Sequence, residues 1–146
     1  MTDRILPPLT AEQKSLVRRE TLHFNHRLAE TGLFTDEALA RLLDEHPRDE
    51  VTICTMQPNP PADVTWIAGE AGDLSGAELV EAARTGALWV SPRSAMTKNP
   101  RYKVVFDQLM GEFSKATGLP VLSADAAVLI SSPRMGIYFH VDPAET

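Results

Sequence analysis

The 146-residue chain is about one domain long, and its 43% apolar and 23% charged residues are those of a globular protein rather than a disordered or membrane-embedded one. Its formal net charge of −6, with basic residues scattered and Arg18-Arg19 the lone adjacent pair, argues against a nucleic-acid or anionic-membrane surface. Either partner would select Lys and Arg and repel this excess of carboxylates.

Cys54 is the single cysteine, so no intramolecular disulfide can form, which fits a reducing cytoplasm. Met1-Thr2-Asp3-Arg4 followed by Pro7 and Pro8 holds no apolar run of a signal peptide. No stretch approaches the roughly 18 apolar residues of a membrane span. A soluble, cytoplasmic protein without membrane contacts is expected.

Thr10 and Gln13 stand in capping-box register, and a short, weakly amphipathic helix is expected through about Arg19. Over residues 35–46 the helical signal is stronger. Thr35 can cap, Asp36 and Glu37 sit at the positive end of the dipole, Ala38, Leu39, Leu42 and Leu43 form one apolar stripe, and Pro47 stops the helix. Residues 51–56 read as an apolar strand containing Cys54 as a small buried hydrophobe. Residues 57–73, with Pro58, Pro60, Pro61, Gly69 and Gly72, read as a long surface loop.

A second helix starts at the capping box of Ser75 and Glu78, with Leu74 and Leu79 in place for a hydrophobic staple and Gly86 as C-terminal cap. Leu88-Trp89-Val90 is a short strand. The clearest helix spans residues 100–117, opened by Asn99 and Pro100 and closed by Gly118 and Pro120. Its residues Tyr102, Val105, Phe106, Leu109, Met110, Phe113 and Ala116 recur at three- and four-residue steps and predict a continuous buried stripe. Two strands close the sequence, at 126–132 and 136–142. The whole reads as a single α+β domain, 1–146, helix-rich to about residue 120 and strand-rich over 121–146.

Side chains alternate along the last strand, so Ile137, Phe139 and Val141 share one face and Tyr138, His140 and Asp142 the other. An imidazole and a carboxylate two residues apart on one face can grip one ion from neighbouring directions. They supply two corners of a two-histidine, one-carboxylate facial triad, which leaves positions open on iron(II). Pro143 breaks the ladder immediately afterwards and puts the pair near a strand end. A lone His-x-Asp is more often a hydrogen-bonded surface pair; the apolar face opposite is what favours a site.

Three stretches together resemble the bacterial cupin-like proteins of the JmjC type. They are His26-Arg27-Leu28 with Leu33-Phe34 and Ala38-Leu39-Ala40-Arg41-Leu42; Gly72-Asp73-Leu74-Ser75-Gly76-Ala77-Glu78-Leu79; and Leu129-Ile130-Ser131-Ser132-Pro133 running on to Tyr138-Phe139-His140-Val141-Asp142-Pro143. The resemblance covers most of this chain but the N-terminal half of the family's pattern. It implies a helical region followed by the first strands of a double-stranded β-helix, incomplete here, and an iron(II)- and 2-oxoglutarate-dependent oxygenase of the hydroxylase type. His140 and Asp142 match the first two metal ligands, and Tyr138 would line the co-substrate pocket. The family's second histidine and its 2-oxoglutarate-pairing basic residue lie downstream of these stretches. Ile137 stands where some relatives carry a co-substrate-binding hydroxyl, which leaves the 2-oxoglutarate assignment open.

Other polar residues have plainer readings. His23 and His26 are three apart without a carboxylate or thiol at ligand spacing, and His26 is expected to make a local hydrogen bond. His46 ends a helix, where a cation suits the dipole. Asp107 and Glu112 fall on the polar side of the long helix and are expected to be solvated. Ser131-Ser132 lacks the flanking glycines of a nucleophile elbow, and Gly69, Gly72 and Gly76 form no phosphate cradle. Trp66 and Trp89 are expected to pack in or near the core.

Two functional expectations stand: the N-terminal fragment of an oxygenase, or a non-catalytic folding or protein-interaction module that retains the motif. Stopping right after the ligand strand would leave a barrel half built, which favours the fragment. In the second case a partner chain could supply the third ligand, for instance in a homodimer joined through open strand edges. The sequence specifies no prime substrate.

Overall fold

Helix starts are set by side chains a few residues away. The computed structural model describes residues 4–55 and 67–133. Within them α1 (Ala11–Leu16), α2 (Asp36–Glu45), α3 (Gly76–Thr85) and, after the single turn α4 (Ala95–Lys98), the long α5 (Pro100–Thr117) follow in order. Thr10 and Gln13 close a full capping box at α1, with reciprocal bonds of 2.9 and 3.1 Å. Ser75 and Glu78 do the same at α3, and Asn99 Oδ1 accepts from the Arg101 amide at 3.1 Å to open α5. Gly118, at φ 71°, supplies the left-handed cap that ends α5.

Some boundaries differ from the expectation. Arg18 adopts φ 65°, and α1 stops at Leu16, short of Arg19. Gly86 does end α3, its amide donating to the Ala82 carbonyl at 2.9 Å, but with φ −90° rather than a left-handed turn. A glycine is needed there for close approach, because a Cβ would meet the Ala82 carbonyl oxygen at 2.7 Å. Leu79 is buried, while its supposed staple partner Leu74 stays 42% exposed.

Among the described residues four antiparallel strands form one sheet in the order β2-β1-β3-β4: β1 (Val51–Thr55), β2 (Ile67–Gly69), β3 (Leu88–Pro92) and β4 (Ile130–Ser131). β2 corrects the expectation of an unbroken loop over 57–73. Its pairing Ile53↔Gly69 through Thr55↔Ile67 is dictated by the free edge of β1, which no local residue pattern reveals. β4 is shorter than the expected strand over 126–132. It covers only Trp89 and Val90 of β3, and the Ala126 carbonyl accepts from the Met96 amide of α4 at 3.0 Å instead. The expected strand at 136–142 lies outside the described residues.

The architecture is therefore α+β. Adjacent leucines of α2 split the core between them. Leu43 packs with Ile53, Leu79, Val80, Ala83 and Val90, whereas Leu42 packs with Ala95, Met96, Tyr102, Phe106 and Val128. Cys54 is buried, and that burial pushes its thiol pKa up. Tyr102, Val105 and Phe106 of the α5 stripe are buried, but Leu109, Met110, Phe113 and Ala116 are only half-buried.

Glu112 is not simply solvated. Its Oε2 accepts from the Leu6 amide at 2.7 Å and its Oε1 from Gln108 Nε2 at 2.9 Å. This latch holds Ile5 and Leu6, each 1% exposed, under the 23–27 segment, where the Arg27 amide donates to the Ile5 carbonyl at 2.8 Å. Asp107 does stay at the surface, paired with Lys103 at 2.6 Å. Among the described residues no helix is long and apolar enough to cross a membrane.

Candidate functional site

Tyr138, His140 and Asp142 lie outside the described residues. The structure does describe the chain that leads to them. Ser132, 2% exposed, is wedged at the corner of α3 and β3. Its hydroxyl lies 2.5 Å from the Ala83 carbonyl oxygen and 2.8 Å from that of Leu88, and accepts from the Leu88 amide at 3.0 Å. The Ser132 amide in turn donates to the Leu88 carbonyl at 3.0 Å. One hydroxyl hydrogen serves one acceptor, and the shorter contact makes that the Ala83 carbonyl.

Local sequence gives no sign of this clamp, since the partners are 44 and 49 positions away. Ser132→Ala should cost about 1–3 kcal/mol, the penalty for stranding buried backbone groups, and Ser132→Cys should recover little of it. Urea unfolding monitored by tryptophan fluorescence reads both.

The described parts of the three stretches that carry the family resemblance, within residues 26–42, 72–79 and 129–133, meet in space. α2 packs on α3 so closely that a Cβ on Gly76 would overlap the Ala40 carbonyl oxygen, while the Gly76 amide donates to Asp44 Oδ1 at 2.6 Å. Arg84 and Asp36 add an ion pair across the same contact. β4 also packs on α3, and Ser132 just after it reaches the Ala83 carbonyl. From the first stretch, the Leu33 carbonyl accepts from the Tyr102 hydroxyl at 2.6 Å, and Phe34 meets the Tyr102 ring edge-on at 6.0 Å.

The remaining histidines show no shared ligand set. His26 Nδ1 accepts from the Leu28 amide at 3.4 Å, the local bond expected of it, and the His23 carbonyl accepts from Gln13 Nε2 at 2.7 Å. Among the described residues no group of three His, Cys, Asp or Glu side chains is placed to hold a metal.

A polar cavity of about 450 Å³ opens between β3, α4 and residues 125–127, lined by Glu50, Arg93, Ser94, Lys98 and Asp125. Ser94 sits in the left-handed region at φ 55°, a strained conformation for a residue with a Cβ. Asp125 accounts for it by accepting from Ser94 Oγ at 2.5 Å, from Thr97 Oγ1, and from the Ala126 amide at 2.9 Å. Those hydroxyl bonds hold the Asp125 carboxyl below its usual pKa. Lys98 Nζ lies 2.6 Å from both oxygens of Glu50 and lowers that carboxyl likewise. Two cations and two carboxylates thus stand together with both carboxylates already committed, so the cavity is a tie between elements rather than an acid–base pair.

His46 backs this network and corrects its reading as a helix-end cation. Its side chain is 3% exposed, and Nε2 lies 3.5 Å from Glu50 Oε2 without a hydrogen-bond partner. Burial depresses its pKa below the usual 6.5, outweighing the nearby Glu50 carboxylate. The unfolded chain therefore takes up a proton that the folded one resists. Stability tied to His46 is fully present above about pH 6.5 and is lost as pH falls below it, at up to about 1.4 kcal/mol per pH unit. His46→Gln should flatten that part of the stability curve between pH 7.5 and 5.5; an unchanged slope would show that His46 is not the group responsible.

Beside α5 lies an open apolar groove of about 740 Å³, lined among others by Phe24, His26, Met110, Phe113, Val121 and Leu122. Its depth comes from the half-buried end of the α5 stripe, and Leu122 is 91% exposed. The chain matches no family model, no curated protein and no solved structure.

Proposed function

We propose that this chain carries the N-terminal, ligand-bearing part of an iron(II)- and 2-oxoglutarate-dependent oxygenase of the cupin-like, JmjC type. The observation that carries the reading is His140-Val141-Asp142, an imidazole and a carboxylate in the two-residue register that puts both on one strand face. Its support is the family resemblance, together with the way the helical stretches of that resemblance pack against the strand leading to the motif. On this reading the antiparallel sheet begins a double-stranded β-helix, and the protein works in the cytoplasm.

The donor chemistry fits. One imidazole nitrogen and one carboxylate oxygen suit iron(II), and two protein ligands leave coordination positions open. His140 and Asp142 would hold the metal, and Tyr138, two residues from His140 on the same face, would border the co-substrate. When bound, iron(II) would activate dioxygen as the oxidant, two electrons coming from oxidative decarboxylation of 2-oxoglutarate and two from the substrate C–H bond. The protein's own part is to hold its two ligands deprotonated and on one side of the ion, so binding weakens in acid. The acidic balance weighs against nucleic acid as the substrate.

Titrating the polypeptide with Mn(II) by electron paramagnetic resonance tests the reading. Weak binding is expected, lost in the double variant His140→Ala, Asp142→Ala, with no 2-oxoglutarate decarboxylation by this polypeptide. Equal Mn(II) binding by the double variant overturns the assignment. Tight binding that the double variant loses means instead that a third ligand comes from within these 146 residues or from a second copy, which sedimentation would separate.

The alternative reading is a non-catalytic folding or protein-interaction module. The open groove beside α5 favours it, because exposed apolar surface of that kind serves contacts.

A further inference from the structure

We draw no further inference here: the strongest candidate, the apolar groove between the C-terminal half of α5 and residues 120–124, carries nothing because nothing in the structure shows what covers it.

Discussion

Gly76→Ala should melt about 5–10 °C below the parent protein, a loss of about 2–3 kcal/mol of the kind an overpacked site suffers. Gly76 opens α3 against α2, and a Cβ there would fall on the Ala40 carbonyl oxygen, a backbone atom that cannot rotate away. The two helices must separate, and with them goes the 2.6 Å bond from the Gly76 amide to Asp44. The same separation loosens the packing of Leu43 on Leu79, Val80 and Ala83. Helix propensity pulls the other way by up to about 1 kcal/mol, so the observed loss is net of that gain.

Gly111→Ala is the matched control. Gly111 is exposed on α5 with nothing within 4 Å of a Cβ, so the same substitution should raise stability by about 0.5–1 kcal/mol. Opposite signs for the two variants by calorimetry are the expected result. A Gly76→Ala protein as stable as the parent would mean that α2 and α3 do not cross as described.

Tyr102→Phe and Tyr102→Ala should separate the two contributions of one side chain. Tyr102 is fully buried, with its hydroxyl donating to the Leu33 carbonyl at 2.6 Å. Phenylalanine keeps the ring and strands that carbonyl, which costs about 1–3 kcal/mol. Alanine also leaves a cavity among Leu42, Met96 and Phe106 and removes the edge-on contact with Phe34, for a total of about 3–5 kcal/mol. Chemical denaturation with unchanged m-values would attribute both losses to the native state. A neutral Tyr102→Phe would show that the 28–34 segment is not tied to α5 through this hydroxyl. Burial pushes the phenol pKa up, so the bond should survive alkaline conditions that ionise exposed tyrosines.

The features legible in the sequence are those decided within a few residues. Thr10 with Gln13, Ser75 with Glu78, and Asn99 with the Arg101 amide each announce a helix start because donor and acceptor are three or fewer positions apart. β2 was hidden because Ile67-Ala68-Gly69 becomes a strand through the edge of β1 rather than through its own propensity. Residues 126–129 have strand-like composition, yet the Ala126 carbonyl is taken by α4. The settings of His46, Glu112 and Ser132 are not legible for one reason: what surrounds each in space is not what surrounds it in the chain. Of the candidate site, the spacing of Tyr138, His140 and Asp142 is legible, and the chemistry proposed for them rests on the resemblance alone. The clamp at Ser132 is what the structure adds on the way to them.

The latch between Leu6 and Glu112 also orders events during synthesis. These two residues are 106 positions apart, and ribosomes add about 5–20 residues per second, so about 5–20 s separate the appearance of one from the other. Asp44 and Gly76 are only 32 positions apart and can meet within about 2–6 s. The α2–α3 pair can therefore form on the nascent chain while Ile5 and Leu6 still face solvent. A segment made well before its partner must wait to find its place, and for that interval Ile5 and Leu6 are exposed to the chaperones that attend the emerging chain.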